Sequence, residues 1–322
     1  MQKAVTSGNS PLRMAISSCL LGHTVRYDGG HKHNAYATQT LGRFFELIPY
    51  CPEVAIGLGV PRPPLQLVRV HDEVRVRGVN DPTQDVTEAL ITYGHEVATQ
   101  LQGVSGYLFK KASPSCGTAQ VNIHDAAGRI VDTGPGLYAA TLMACLPELP
   151  VVDEERLLEL PLRDNFLERV FVYHRWQQLC RRGITRNSLL EFHARHKFIV
   201  LAHDEPAYRE LGRLVADLGG ENFDDLARHY LSLLMQALRK IATPKQHANV
   251  LLHIMGFFKA HLSTEDKREL LELIEQYTLE QVPLLVPVSL LKHHLRRYPD
   301  EYLQAQYYLN PHPAELMLRY GP

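Results

Sequence analysis

The texture of this chain changes near residue 160, and that change limits what it can fold into. Before it, short apolar runs alternate with loops rich in glycine and proline. Met14–Ser18 reads as a buried strand that ends in a loop at Cys19, and Val104–Lys111 as a strand that leads into the loop Lys110–Thr118. Asp85–Gly103 has the spacing of an amphipathic helix with Asp85 or Thr87 as its cap, and Gly128–Pro147 reads as a glycine-rich turn followed by a helix. Thr40–Tyr50 carries Leu41, Phe44, Phe45 and Ile48 at helical spacing and predicts a helix stopping at Pro49. Val60–Val70, with its three prolines, reads as an extended wall, and the run after it as a hairpin or a strand and turn. Strand, loop and helix in repetition predict an open α/β sheet with flanking helices, which binds ligands beyond the carboxyl ends of its strands. Past Val151–Asp164 glycine becomes rare and helical periods take over, several opened by capping residues: Asp204 before Pro206, Thr243 before Pro244, and Ser263 with Asp266 three residues on. The expected organisation is a flexible leader over 1–12, an α/β domain over 13–158 and an all-α domain over 159–322. QVPLLVPVSLL, the most apolar stretch, reads as a buried connector because of its two prolines.

A chain of 322 residues with 45% hydrophobic and 21% charged residues is an ordinary globular composition that can bury a core in each domain. The net charge of −1 gives no global pull towards nucleic acid or membrane, so any basic surface has to be local. No apolar run is long enough to span a bilayer, and the amino terminus lacks the apolar stretch of a signal peptide. Five cysteines, an odd number without clustered disulfide spacing, point to reduced thiols and a cytoplasmic protein.

The loop Lys110–Thr118, KKASPSCGT, is the chemical focus. Pro114 fixes one dihedral and Gly117 permits conformations other residues avoid, so Ser113, Ser115 and Cys116 are presented together. Cys19 in ISSCLLG and Cys51 in PYCPEV lie in loops of similar build. Their spacings match neither a zinc knuckle nor a ferredoxin run. Spacing alone leaves open both three unrelated buried thiols and one shared iron–sulfur cluster. Each cysteine sits beside Gly, Pro or Ser, in loops where backbone N–H groups can point at sulfide, and that favours the cluster. Cys145 on an apolar helix and Cys180 beside Arg181 read as structural or incidental thiols.

In order, SSCLLG, VRYDGGHKHN, CPEV, VPRPP, DVTEAL and KKASPSCG resemble the thiouracil desulfurase (TudS-like) family over about residues 14–155. RHKFIVLAH, HANVLLHIMGFFK and QYYLNPHPAELMLR resemble the YbgA-like domain. The pairing is similar to that of the tRNA 4-thiouridine desulfidases. The resemblance implies a 4Fe-4S cluster held by Cys19, Cys51 and Cys116, with a fourth iron open to the sulfur of a thiocarbonyl. It implies conversion of 4-thiouridine in tRNA to uridine with release of sulfide; the lack of a spanning apolar run separately predicts no membrane partner. Relatives often read CRYDG where this chain has Val25, which removes a fourth candidate thiol. His124–Gly128, HDAAG, also departs from the family pattern, so substrate contacts there are expected to differ.

Proton transfer is expected from Glu53, two residues from a ligand, and from Ser113 as a relay; their bland readings are a loop carboxylate and a turn cap. Asp28, Ser115, Lys110 and Lys111 are the expected substrate contacts, although Asp-Gly-Gly is also simply a turn. In the helical domain Arg195, Lys197, Lys292, Arg296 and Arg297 are the expected phosphate contacts. Acidic and basic residues nearly balance there, so most of these charges also have the reading of a solvated face. Two other functions stay open: a desulfurase of free thiouracil bases, and a non-enzymatic iron–sulfur sensor or RNA-binding protein.

Overall fold

The computed structural model describes residues 12–217 and 222–312, and it divides between Glu159 and Leu160 into two compact units. The leader expected over 1–12 lies outside the described residues except for Leu12, which opens a strand. The end of QYYLNPHPAELMLR, from residue 313, also lies outside them.

In chain order the first unit contains β1 (Leu12–Ser17), β2 (Phe45–Tyr50), the single-turn α1 (Pro52–Ala55), β3 (Leu65–Val70) and β4 (Glu73–Gly78). It continues with α2 (Thr87–Gln100), β5 (Val104–Phe109), β6 (Val121–His124), β7 (Ile130–Gly134), α3 (Leu137–Cys145) and β8 (Val151–Asp153). One sheet is entirely parallel, in the order β2-β1-β5-β8. Its inner strands are apolar and buried: every residue of β5 is buried, as are the last four of β1. Continuous burial of this kind belongs to a parallel strand covered on both faces. The second sheet, β4-β3-β6-β7, is mixed: hairpins β3–β4 and β6–β7 join through a parallel β3–β6 pair.

The helix predicted over Thr40–Tyr50 is corrected to a short irregular turn followed by β2. Pro49, which would end a helix, is accommodated because β2 is an edge strand and pairs only with β1. The cap expected for α2 also takes another form. Asp85 accepts the Thr87 N–H, while the Thr87 hydroxyl accepts the Val76 N–H and ties the helix start to β4.

The second unit is all helix: α4 (Leu160–Arg181), α5 (Arg186–His203), α6 (Glu205–Ala216), α7 (Phe223–Ala237), α8 (Pro244–Phe257), α9 (Thr264–Thr278), α10 (Leu285–Arg297) and α11 (Glu301–Gln304). Asp204 caps α6, and Thr243 with Gln246 and Ser263 with Asp266 form full capping boxes on α8 and α9. The buried connector expected in QVPLLVPVSLL is corrected to the start of α10. Pro287 falls in its first turn, where the missing N–H would have had no helical partner. Trp176 and Phe192 pack edge-on, and Tyr230 stacks on Trp176, at the centre of a continuous core. Among the described residues no helix is long and apolar enough to cross a membrane.

Candidate metal centre

Because β2, β1 and β5 are adjacent and parallel, their carboxyl ends share one edge of the sheet. Each end carries one of the three loops. Cys19 follows β1 by two residues, Cys51 follows β2 directly, and the Lys110–Gly117 loop with Cys116 follows β5. The three thiols line one cavity of about 290 Å³ together with Ser17, Arg26, Tyr27, Tyr50, Glu53 and Arg62, among others.

The Cys116 loop is strapped from two sides. The Ser113 Oγ accepts the N–H groups of Ser115 (3.2 Å) and Cys116 (3.1 Å). At the start of α3, Leu137 donates its N–H to the Pro114 carbonyl and Ala139 donates to Ser115, both at 3.0 Å. These are first-turn N–H groups with no partner inside the helix, so the loop supplies the acceptors the helix end requires. Gly136 permits the approach: a Cβ there would sit 2.6–2.7 Å from the backbone of Ser113 and Ser115. The Ser17 hydroxyl accepts the Lys110 N–H at 3.0 Å and so ties the ends of β1 and β5.

All five cysteines are free thiols. Burial pushes the Cys19 thiol up to about 11, with Cys51 adding to the effect. Burial also raises Cys51, and it raises Cys116 well above the ordinary thiol value, with Glu53 and the other two thiols acting in the same direction. Without a cation the three therefore stay protonated. Among the described residues, no three His, Cys, Asp or Glu side chains converge on a single ion position. Three soft donors, in a cavity that two of them enter from buried positions, fit a 4Fe-4S cluster.

Glu53 lies on α1, directly beyond Cys51, with its side chain 13% exposed. Its Oε2 accepts from Arg62 Nε (2.8 Å) and lies 2.6 Å from Nη2 as an ion pair, and its Oε1 accepts from the Ser115 hydroxyl (2.9 Å). A carboxylate oxygen has about two lone-pair positions, so the Ser115 bond leaves one on Oε1. Ser115 itself is fully buried and is not among the cavity-lining residues; it reaches the site through Glu53. With the Ser113 oxygen taken by two backbone donors, its hydroxyl proton is the part left to serve the cavity.

The other expected contacts are distributed as follows. Lys110 and Lys111 line the cavity, but each is ion-paired, with Glu154 and Glu155 respectively. Asp28 is not among the lining residues. It accepts the Gly30 N–H at 2.9 Å and pairs with Arg26 at 3.5 Å, closing a turn that sets Tyr27, 42% exposed, at the cavity rim under the Arg26 guanidinium. Backbone hydrogen bonds and Arg26 hold the Asp28 carboxyl below the usual range. Tyr27 and Arg62 are site residues that sequence reading missed. The signals were an aromatic beside Asp-Gly-Gly and an arginine between prolines, neither diagnostic alone. Cys145 and Cys180 lie on α3 and α4, and the Cys145 Sγ is 3.2 Å from His95 Nδ1.

In the helical unit Arg195 pairs with Glu191, Lys197 lies 4.8 Å from the Tyr302 ring centroid, and Arg297 lies 5.4 Å from that of Tyr298. Lys292 donates to the Asn310 side chain at 2.8 Å, and burial lowers its pKa, with Arg296 adding to the effect. Arg296 and Arg297 are exposed on the last turn of α10. Both groups flank the segment 302–310: the Arg195 carbonyl accepts the Tyr307 N–H, and Lys292 holds Asn310.

Residues 14–154 match the family model described as 2-thiouracil desulfurase, and residues 197–313 match one described as a protein of unknown function, DUF1722. The chain is 32% identical to a solved structure described as the [4Fe-4S]-dependent thiouracil desulfidase TudS, covering 47% of this chain and 97% of that one with a TM-score of 0.36. It is 37% identical over 159 residues to the uncharacterized protein YbgA of Escherichia coli (strain K12), covering 49% of this chain and 94% of that protein. The chain therefore belongs to the YbgA family, and it joins its YbgA-like domain to a domain of the thiouracil desulfurase type.

Proposed function

We propose that this protein is an iron–sulfur-dependent desulfidase that converts 4-thiouridine in tRNA to uridine and releases sulfide. The observation that carries the reading is the convergence of Cys19, Cys51 and Cys116 on a cavity that also holds Glu53, in a domain that matches the 2-thiouracil desulfurases. Cys19, Cys51 and Cys116 would hold the 4Fe-4S cluster. Val25 supplies no fourth thiolate; its carbonyl instead accepts from the Cys51 thiol at 3.8 Å and from Arg62 at 3.0 Å. When bound, the cluster supplies a soft Lewis acid matched to a thiocarbonyl sulfur.

The chain's own residues do the rest. Glu53 has its remaining lone pair available for a proton from water, which makes the water nucleophilic towards the ring carbon. Ser113 offers its hydroxyl proton to the base. Tyr27 gives the rim an exposed aromatic face of the kind nucleobases stack on. The thiols lie inside a recessed cavity that a base stacked in a helix cannot enter, so a tRNA substrate has to present its thiolated base unstacked. Arg195, Lys197, Lys292, Arg296 and Arg297 would contact tRNA phosphates.

The test is anaerobic purification with iron and sulfide quantitation, followed by nucleoside analysis of tRNA and of free thiouracil after incubation with the protein. Loss of 4-thiouridine with matching sulfide release supports the proposal. Turnover of the free base alone moves the substrate to thiouracil. A loaded protein that releases no sulfide from either one points to a sensor.

A further inference from the structure

Arg62 is embedded where few arginines are, with its side chain 4% exposed against the thiol cavity. Three of its five side-chain N–H donors make hydrogen bonds: Nε donates to Glu53 Oε2 at 2.8 Å, and Nη1 donates to the Val25 carbonyl (3.0 Å) and the Gly59 carbonyl (2.9 Å). Nη2 lies 2.6 Å from the same Oε2 as an ion pair. Its backbone N–H donates to the Tyr27 carbonyl at 2.8 Å. One residue thus joins the α1 turn that follows Cys51, the Val25–Tyr27 turn at the cavity rim, and its own loop. Through Glu53 and Ser115 the connection reaches the residue beside Cys116.

A guanidinium does this because its donors lie in one plane at fixed angles. It grips a single carboxylate oxygen with two nitrogens while the third nitrogen holds two carbonyls. Gripped at Oε2 by Arg62 and held at Oε1 by the Ser115 hydroxyl, the carboxylate has its plane set from both ends. An ammonium at the same place is a single point of charge that satisfies some of these partners but cannot set the rotation of the carboxyl plane.

We propose that Arg62 is a positioning residue for the desulfidation: it aims the Glu53 carboxylate at the reacting water and locks the rim turn to the Cys51 loop. The inference rests on the desulfidase reading above. It assigns a role to a residue that makes no reacting contact of its own, and it distinguishes aiming Glu53 from merely filling space. Substituting lysine keeps the charge and most of the volume and removes the planar fork that sets the carboxylate and holds the Val25 and Gly59 carbonyls.

The test uses anaerobically loaded full-length protein in four forms: wild type, Arg62→Lys, Glu53→Gln and the double variant. Iron content, KM and kcat for sulfide release from 4-thiouridine-containing tRNA are measured, with kcat expressed per loaded cluster. Arg62→Lys should keep its iron and its KM and lower kcat by about tenfold to a hundredfold, the scale of a misplacement of about 1 Å. In the Glu53→Gln background it should cost less than about a further twofold, since the two act as a unit. A second measurement needs no cluster. On metal-free protein, hydrogen–deuterium exchange over residues 25–30 and 52–58 should rise in Arg62→Met relative to wild type.

Losses that multiply in the double variant overturn the proposal, as does a raised KM with unchanged kcat, which would make Arg62 a substrate contact. Iron loss in step with activity in Arg62→Lys, or unchanged exchange in Arg62→Met, makes the residue structural or idle and also overturns it. A loaded wild type that releases no sulfide from thiolated tRNA or thiouracil sinks the desulfidase reading and takes the Arg62 assignment with it. An active wild type with independent losses sinks the Arg62 assignment alone.

Discussion

At Cys19, Cys51 and Cys116, burial decides the chemistry: it raises all three thiols, so they give up their protons only to a cation that repays the desolvation. Each Cys→Ala change at these positions should abolish iron binding, whereas Cys145→Ala and Cys180→Ala should leave iron per chain unchanged. Full loading of Cys116→Ala would end the three-thiolate assignment. Glu53→Gln keeps the shape of the side chain and every thiol, so iron should stay while turnover drops by about a hundredfold to ten-thousandfold. Coupled loss of iron and activity would instead make Glu53 a brace for the Cys51 turn. The same change removes the countercharge of a buried arginine, and unfolding titrations should show a loss of up to about 3–5 kcal/mol. The cysteines and Glu53 were legible through their motifs. The Ser115–Glu53–Arg62 chain was not, because a serine in a Ser-Pro-Ser turn and an arginine between prolines meet their partner Glu53 only across 62 and 9 residues of chain respectively.

At the level of elements, the site is built by three parallel strand ends and one helix start. α3 contributes no side chain to the cavity, yet its first N–H groups hold the carbonyls of Pro114 and Ser115 and so set where Cys116 stands. Gly136→Ala tests this coupling. The added methyl meets backbone atoms at 2.6–2.7 Å, so α3 and the loop have to part. A destabilisation of about 1–3 kcal/mol is expected, together with reduced iron loading, read by thermal unfolding and iron assay on the same sample. Normal loading would show that the loop holds its shape without the helix. β2 marks the limit of periodicity at this scale: Leu41, Phe44, Phe45 and Ile48 suit a helical face, but a short apolar run beside a sheet edge satisfies its backbone by pairing with β1 instead.

For the whole molecule, one buried and one half-buried histidine of the helical unit, His174 and His193, give a pH signature. Burial, with Arg181 and Arg175 nearby, lowers His174 to about 4, and burial with Lys197 lowers His193 to about 4. Both are depressed below the unfolded value of about 6.5, so the unfolded chain takes up protons first as the pH falls. Stability from this source is complete above about pH 6.5, falls between there and about 4, and levels off below. Urea unfolding of the full chain across that range should show the decline, and His174→Gln should flatten it. Reversing the charges of Lys292, Arg296 and Arg297 tests the other unit-wide property. Affinity for tRNA should fall and its salt dependence should weaken, because fewer counterions are released. Desulfidation of a free thiobase should change little, and an unaltered salt series would remove α10 from the RNA surface.

What the amino-acid sequence determined by itself is local. The switch from glycine-punctuated strands to capped helices, the rigid Ser113–Gly117 turn and the helix starts at Asp204, Thr243 and Ser263 follow from residues a few positions apart, whose preferences act before any tertiary contact forms. What only the tertiary structure decided is adjacency. The order β2-β1-β5 brings residues 19, 51 and 116 to one edge, and the placing of Arg62 against Glu53 and Val25 closes the site. Those contacts depend on which strands pair and how loops cross, which is settled by burial summed over the whole domain and leaves no periodicity in the chain to read.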